Sequence, residues 1–473
     1  MKHRIAGGSW ASIVLLSLGC TAGPDYQEPA VQSAGAYENA PQEGLTPDPA
    51  IVAWWREFGD PKLDDLIGRA VKGNYSVRAA TALLRETRAL YAQENYDLAP
   101  TVTAHAAYTR ELQSNALLPG LSRSDRSFGF WNPGFDATWE LDLFGHVRRS
   151  VEAASSEVGA AEATRRDVIL TLLAEVARNY FEWRGAGYRL EIARKNALNQ
   201  DETLRLTTAR FEGGRGTELD VSRARAELKS TLALLPPIET DVARAKNRLA
   251  VLLGEQPTGF SLNSGTPAPP DPLPKLVAIG KPEDLLRRRP DIRQAERRLA
   301  AATARIGVAT ADLFPRVTFS GTLGPQASTI PGLFQAGSAA YTLGPKITWA
   351  FLDLGRVAET IRAADAHAEA ELNRYQQTVL LALEETENAL VQFGRERARQ
   401  DALVEAVAAS ERAALLADAR YQGGAADFLT TLDAQRTVLN LQLQLAETQT
   451  RTVTALIALY KALGGGWELD TPK

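Results

Sequence analysis

The chain has 473 residues, with 53 Lys and Arg against 57 Asp and Glu, a formal charge of −4. That balance excludes the basic field of a nucleic-acid binder, and 45% hydrophobic with 23% charged residues excludes global disorder. One Cys excludes an intrachain disulfide and a Cys-rich metal cluster, and no interior stretch reaches the roughly 18 consecutive apolar residues of a transmembrane helix.

The N-terminus is basic at Lys2, His3 and Arg4, then apolar through Ile13, Val14, Leu15, Leu16 and Leu18. The apolar run is too short to span a bilayer, so residues 1–19 read as a cleaved secretory signal. The sequence Leu16-Ser17-Leu18-Gly19-Cys20 resembles a bacterial lipobox. That resemblance implies an acylated Cys20 at the mature N-terminus. Thr21 in place of Asp implies an outer-membrane destination. Each buried CH₂ of the acyl chains adds roughly 0.8 kcal/mol of anchoring.

The body of the chain is duplicated. Trp139, Gly145 and Val147 recur as Trp349, Gly355 and Val357, and Arg210-Phe211-Glu212-Gly213-Gly214 recurs as Arg420-Tyr421-Gln422-Gly423-Gly424. These pairs, and Leu253-Gly254 with Leu463-Gly464, all lie 210 residues apart. Upstream, Val77-Arg78 matches Ile292-Arg293 and Pro100 matches Pro315, now 215 apart. The difference falls in a Ser-, Asn-, Pro- and Gly-rich segment between Pro100 and Trp139, expected to be a loop. Each half is expected to run as a helix of about 30 residues, a β-hairpin, a long helix, a Gly-Gly turn and a returning helix. Gly145 to Arg210 has no proline and would be about 100 Å long if unbroken. The long helices are expected to be stiff, with no proline and little glycine to interrupt them. Between the halves, Pro257 to Pro282 reads as a linker or irregular belt. Pro290 opens the next helix, and Arg287-Arg288-Arg289 reads as a solvated or acid-paired helix start.

In the second half Tyr341, Leu343, Pro345, Ile347, Trp349 and Phe351 alternate with smaller or polar residues, as do Trp131, Pro133, Phe135, Ala137 and Trp139 in the first. Val102, Ala104, Ala106 and Tyr108, and Val317, Phe319 and Leu323, supply partner strands. Period two fits a half-buried soluble sheet or a transmembrane β-strand. An open edge cannot sit in lipid, so the membrane alternative demands an oligomer, and three chains of four strands make twelve. On the last helix Leu432, Leu439, Ala446, Val453 and Tyr460 recur every seven residues as a packing seam. Gln435, Gln442 and Gln449 recur on another face, either as a solvated stripe or as one lining water.

Cys20 followed by Gly23-Pro24-Asp25-Tyr26 and Pro29, Arg289-Pro290-Asp291-Ile292, Leu313-Phe314-Pro315, Arg420-Tyr421-x-x-Gly424 and Leu432-Asp433-Ala434-Gln435-Arg436 together resemble the outer-membrane efflux lipoproteins of the TolC superfamily, the OprM/NodT group. The resemblance covers essentially the whole mature chain. It implies a mainly α fold with a small β part: duplicated long helical hairpins in a periplasmic α-barrel, and two β-hairpins giving four strands to a trimeric twelve-stranded barrel. It divides the chain into a signal peptide (1–19), a lipidated extended segment (20–58), a first repeat (59–253, hairpin about 100–142), a Pro-rich equatorial region (254–282), a second repeat (283–463, hairpin about 315–352) and a tail (464–473). It implies a homotrimer working passively as the exit duct of a tripartite pump, with a periplasmic adaptor (membrane fusion) protein and an inner-membrane transporter of the RND type.

By the same resemblance, Arg210, Phe211, Gly214, Arg420, Tyr421 and Gly424 sit at adaptor-docking tips. Leu429, Asp433 and Arg436 form a periplasmic gate: an apolar constriction, an acidic ring and a residue that pairs to hold it shut. Turn chemistry alone also explains the glycines. The first-half equivalent of Asp433 is Arg223. No catalytic, cofactor or metal site is expected, since the four His are scattered and no nucleotide-loop or nucleophile motif occurs. Type I secretion, metal efflux and a non-channel coiled-coil lipoprotein are the alternatives.

Overall fold

The computed structural model describes residues 21–30, 35–39, 44–48, 51–262, 274 and 276–470. The signal peptide, Cys20 and residues 263–273 and 275 of the Pro-rich stretch lie outside the described residues. The labelled elements, in chain order, are β1 (Leu45–Thr46), α1 (Pro61–Gly73), α2 (Tyr75–Tyr96), β2 (Thr101–Leu112), β3 (Ser127–Leu141), α3 (His146–Glu212), α4 (Glu218–Leu253), β4 (Val277–Ala278), α5 (Pro282–Arg288), α6 (Pro290–Ala311), β5 (Arg316–Pro325), β6 (Ala339–Thr348), α7 (Leu354–Gln422) and α8 (Phe428–Ala462).

Two expectations need correction. The helix of about 30 residues before each hairpin is two helices. At Asn74 the backbone turns extended, and the Asn74 side chain caps α2 by accepting from Ser76 N and Val77 N. At Arg289 the following Pro290 disfavours helical backbone, so α5 stops and α6 starts. The long helices are also not free of proline, because α4 carries Pro236 and Pro237. Those rings remove backbone donors, yet α4 is assigned as one helix across them. Both α3, with 67 residues, and α7, with 69, run unbroken.

The chain forms two compact units. One takes in residues 83–162, 294–376 and the described N-terminal residues up to 30. Its centre is an antiparallel sheet in the order β2-β3-β5-β6. The N-terminal residues pack on this unit: Ala22 N donates to Phe144 O, and the buried Arg149 donates to Ala22 O, Asp25 and Glu152. Farther on, Tyr26 donates to the buried Glu296 at 2.6 Å. Burial and that acceptor push the Tyr26 phenol above its ordinary pKa.

The other unit holds the main apolar core. Trp54 is fully buried, stacks on Tyr460 at 5.3 Å and donates to Gly465 O at 3.0 Å. Around it pack Phe58 and Phe181, 4.9 Å apart, with Leu63, Leu173, Leu249, Leu390 and Leu456. Each buried side chain of this size contributes about 1.5–3 kcal/mol. The heptad residues Leu432, Leu439, Ala446, Val453 and Tyr460 are all buried, as the seam requires. β1 pairs with β4 in parallel, so the N-terminal segment, the end of the Pro-rich stretch and the C-terminus meet in this unit. Arg289 is acid-paired, to Asp291 and Glu385, and also donates to Ala462 O. Gln435, Gln442 and Gln449 are half-buried, and Gln442 bridges Asn196 of α3 and Glu411 of α7.

Candidate functional site

The sheet has two chemically opposite faces. One row of directly paired residues reads Ala104, Phe135, Leu323 and Tyr341 across the four strands, and the row beside it reads Val102, Ala137, Gly321 and Leu343. Trp139, Phe319 and Pro345 form the next row, then Leu141, Val317 and Ile347. One residue out of step, the opposite face reads Thr103, Asp136, Thr322 and Thr342, then Thr101, Thr138, Ser320 and Gly344, then Glu140, Thr318 and Lys346. His105 joins this polar face, with its ring nitrogens 2.7 Å from Asp136 and 2.9 Å from Asn132.

The apolar face is open: Phe135, Leu323, Tyr341, Leu343 and Ile347 are all exposed. A soluble half-buried sheet would cover such a face, and nothing among the described residues does. The stretch from Trp131 to Leu141 spans about 34 Å along the strand, which a tilt of about 40° reduces to about 26 Å. That matches the roughly 25 Å apolar band of outer-membrane barrels. At the base, Trp139 Nε1 donates to Leu98 O at 3.1 Å, and its repeat equivalent Trp349 donates to Leu313 O at 3.0 Å. Each ring presents an apolar body with its polar edge satisfied, as aromatics at a membrane–water boundary do. Among the described residues, strands β2 and β6 are the open edges of the sheet.

The same base receives the N-terminus. Gly145 has φ 86°, and a Cβ there would stand 2.9 Å from Thr21 Cγ2. Thr21, which follows Cys20 in the sequence, is therefore held at the strand–helix junction.

The two Gly-Gly turns have identical bonding. Gly214 N donates to Phe211 O and Arg215 N to Arg210 O; Gly424 N donates to Tyr421 O and Ala425 N to Arg420 O. Gly214 and Gly424 take φ 72° and 74°, the left-handed conformation that ends a helix on glycine. Thr217 with Asp220, and Asp427 with Thr430, cap the returning helices. Of the six expected tip residues, the structure joins two: the Arg210 guanidinium lies 4.6 Å over the Tyr421 ring. Tyr421 in turn packs on Phe428, at 5.6 Å. Phe211, Gly214, Arg420 and Gly424 are exposed, and Gly424 touches the pair only through its backbone bond to Tyr421 O.

Leu429, Asp433 and Arg436 follow spacings of four and three on α8, so they share one face. Leu429 and Asp433 are exposed. Arg436 pairs with Glu227 of α4 at 2.7 Å, a partner that sequence reasoning missed. Glu227 is buried, while Arg436 is more than half exposed. The hydrogen bond that Arg436 donates to Glu227 raises the Arg436 pKa, with a smaller contribution from Asp433. An acid flanked by the buried positions Ala224, Leu228 and Thr231 was the available signal, because a buried carboxylate requires a partner.

Comparison with known proteins comes to the same architecture. The family model described as outer membrane efflux protein matches residues 66–255 and 282–465. The solvent efflux pump outer membrane protein SrpC of Pseudomonas putida is 32% identical over 97% of both chains. The solved outer-membrane channel OprN is 40% identical with a TM-score of 0.89, covering 95% of this chain and 100% of that one. The open state of the MtrE outer membrane channel of Neisseria gonorrhoeae is 31% identical, with a TM-score of 0.85 over 96% and 100%.

Proposed function

The chain belongs to the outer membrane efflux protein family, and on that premise we propose that it is the outer-membrane exit duct of a tripartite efflux system. The observation that carries this reading is the four-stranded sheet with one exposed apolar face, one polar face and two open edges. In lipid every backbone donor and acceptor needs a partner, so the edges must close. Three copies close a twelve-stranded barrel with the apolar face toward lipid and Asp136, Thr138, Glu140 and Lys346 toward a water-filled lumen. Such a duct moves small molecules passively, driven by an inner-membrane pump of the RND type through a periplasmic adaptor. The exposed tip residues Phe211, Arg420, Gly214 and Gly424 offer the docking surface. Arg210 and Tyr421 stiffen it from behind.

Three Asp433 carboxylates around one axis make a cation-attracting ring beside the apolar Leu429. Arg436, held by Glu227, fixes the helix that carries them. Cys20 is the lipid attachment site, supported by Thr21 being held beside the strand bases where a bilayer surface would lie.

The test is purification in detergent, native mass measurement and planar-bilayer recording. A trimer that conducts supports the proposal; a water-soluble monomer, or a trimer without conductance, overturns it. Asp433→Ala should raise conductance or weaken cation preference, and no change in either removes Asp433 from the gate. Cys20→Ala should lose palmitate labelling yet still need detergent.

A further inference from the structure

The two loops at the far ends of the hairpins, residues 113–126 and 326–338, carry the same apolar motif. The first reads Leu117-Leu118-Pro119-Gly120-Leu121 and the second Ile330-Pro331-Gly332-Leu333-Phe334. Loops that face only water are normally polar. Here Leu117 is 69% exposed, Ile330 53% and Phe334 86%, with Leu121 exposed beside them.

These side chains are held in display. In the first loop Leu117 N donates to Ser114 Oγ, Ser122 Oγ donates to Asp125, and Arg126 donates to Gln113 O at 2.5 Å. In the second, Gly332 N donates to Thr329 O and Ser338 Oγ to Leu333 O. Ala327 exchanges both backbone hydrogen bonds with Trp131 of β3. Bonds within each loop, and from the second loop to β3, fix the backbone while Leu117, Leu121, Ile330 and Phe334 stay exposed.

Topology says what lies next to them. The first loop leaves the open edge strand β2 at Leu112, and the second enters the other open edge strand β6 at Ala339. Strand directions alternate through the sheet. When β2 of one copy pairs with β6 of the next, the pair is antiparallel and the Leu112 end of one meets the Ala339 end of the other. We propose that Leu117 and Leu121 of one copy pack against Ile330 and Phe334 of the next, forming an apolar clasp at the outer rim of the barrel. The occupant of each loop's apolar surface is thus a second copy of this chain. The inference rests on the trimeric reading above, and its test keeps the two apart.

The experiment is cross-linking of the full chain with a short bifunctional maleimide, read on denaturing gels. The parent chain, whose sole cysteine is Cys20, gives the background. Leu117→Cys with Phe334→Cys should shift monomer into dimer and trimer bands. Ala107→Cys with Thr342→Cys, midway along the two edge strands, is the control for barrel closure. Ladders from both pairs support the clasp. A ladder from the control alone overturns the clasp and leaves the trimer standing. No ladder from either overturns both. A second reading uses Phe334→Trp, its emission taken as the difference from the parent chain, which carries eight Trp of its own. Blue-shifted emission that brominated lipid does not quench supports the clasp. Red-shifted emission places the residue in water, and quenching places it in the outer leaflet; either result overturns it.

Discussion

Placing a charge on the apolar face of the sheet tests the channel wall directly. Leu323 sits on the inner strand β5, in the row Ala104–Phe135–Leu323–Tyr341, about midway between Trp131 and Leu141. Its side chain is exposed in the chain, so Leu323→Arg meets no steric barrier there. In water the change would be nearly neutral, within about 0.5 kcal/mol for an exposed site. At the lipid midplane an Arg costs about 2–4 kcal/mol. Three copies, too far apart to couple, would bring the assembled trimer to about 6–12 kcal/mol. Thr322→Arg is the internal control: one residue along, the same change falls on the polar face beside Asp136 and Thr342. The assay is the urea midpoint of the chain refolded into vesicles, with the trimer band on unheated gels as a second readout. Leu323→Arg should lower the midpoint strongly and deplete the trimer band, and Thr322→Arg should do neither. Equal effects, or a larger one at Thr322, would refute the assignment of the two faces and the barrel with it.

Glu227→Ala should free Arg436 and raise basal conductance in bilayers, and Arg436→Ala should do the same. The double variant should add nothing, since both remove one pair; additive effects would separate the two residues. A Cβ at Gly307 would stand 2.8 Å from Ala22 O, so Gly307→Ala should cost about 1–3 kcal/mol and expose residues 21–30 to protease. Unchanged protection would contradict that packing. Asp167 has its carboxyl pKa raised by burial and by Asp291, with Glu385 adding to the effect and Lys461 and Arg289 opposing it. The folded state therefore holds this proton to higher pH than the unfolded state does. Its ionisation destabilises the fold as pH rises from about 3.9 through the raised value. Asp167→Asn should stabilise at neutral pH and flatten that part of the denaturation profile, and an unaltered slope would refute the assignment.

The sequence carried the repeat, the period-two strands and the heptad seam, because each is a local pattern with its own physical period. Trp139 and Trp349 were recognisable as equivalents from numbering alone, and the structure gives them the same hydrogen bond. Helix boundaries were less legible. The break at Asn74 depends on a side chain that caps α2 and also donates to Leu252 O on α4, a contact 178 residues away. Proline in α4 likewise contradicted a rule that holds for isolated helices, since packing of Ile238 and Ala245 helps hold the helix across it.

What the sequence by itself determined is the alternation of apolar and polar residues along four strands and the glycine pairs that end the long helices. Local sterics and side-chain period suffice for both. Only the tertiary structure decided that β3 and β5 pair across the repeat. That pairing turns two separate hairpins into one sheet with a continuous apolar face. It also decided that Arg436 meets Glu227 and Arg210 meets Tyr421. Those pairs join residues about 210 positions apart, where no local period reaches, and only the packing of one repeat on the other brings them together.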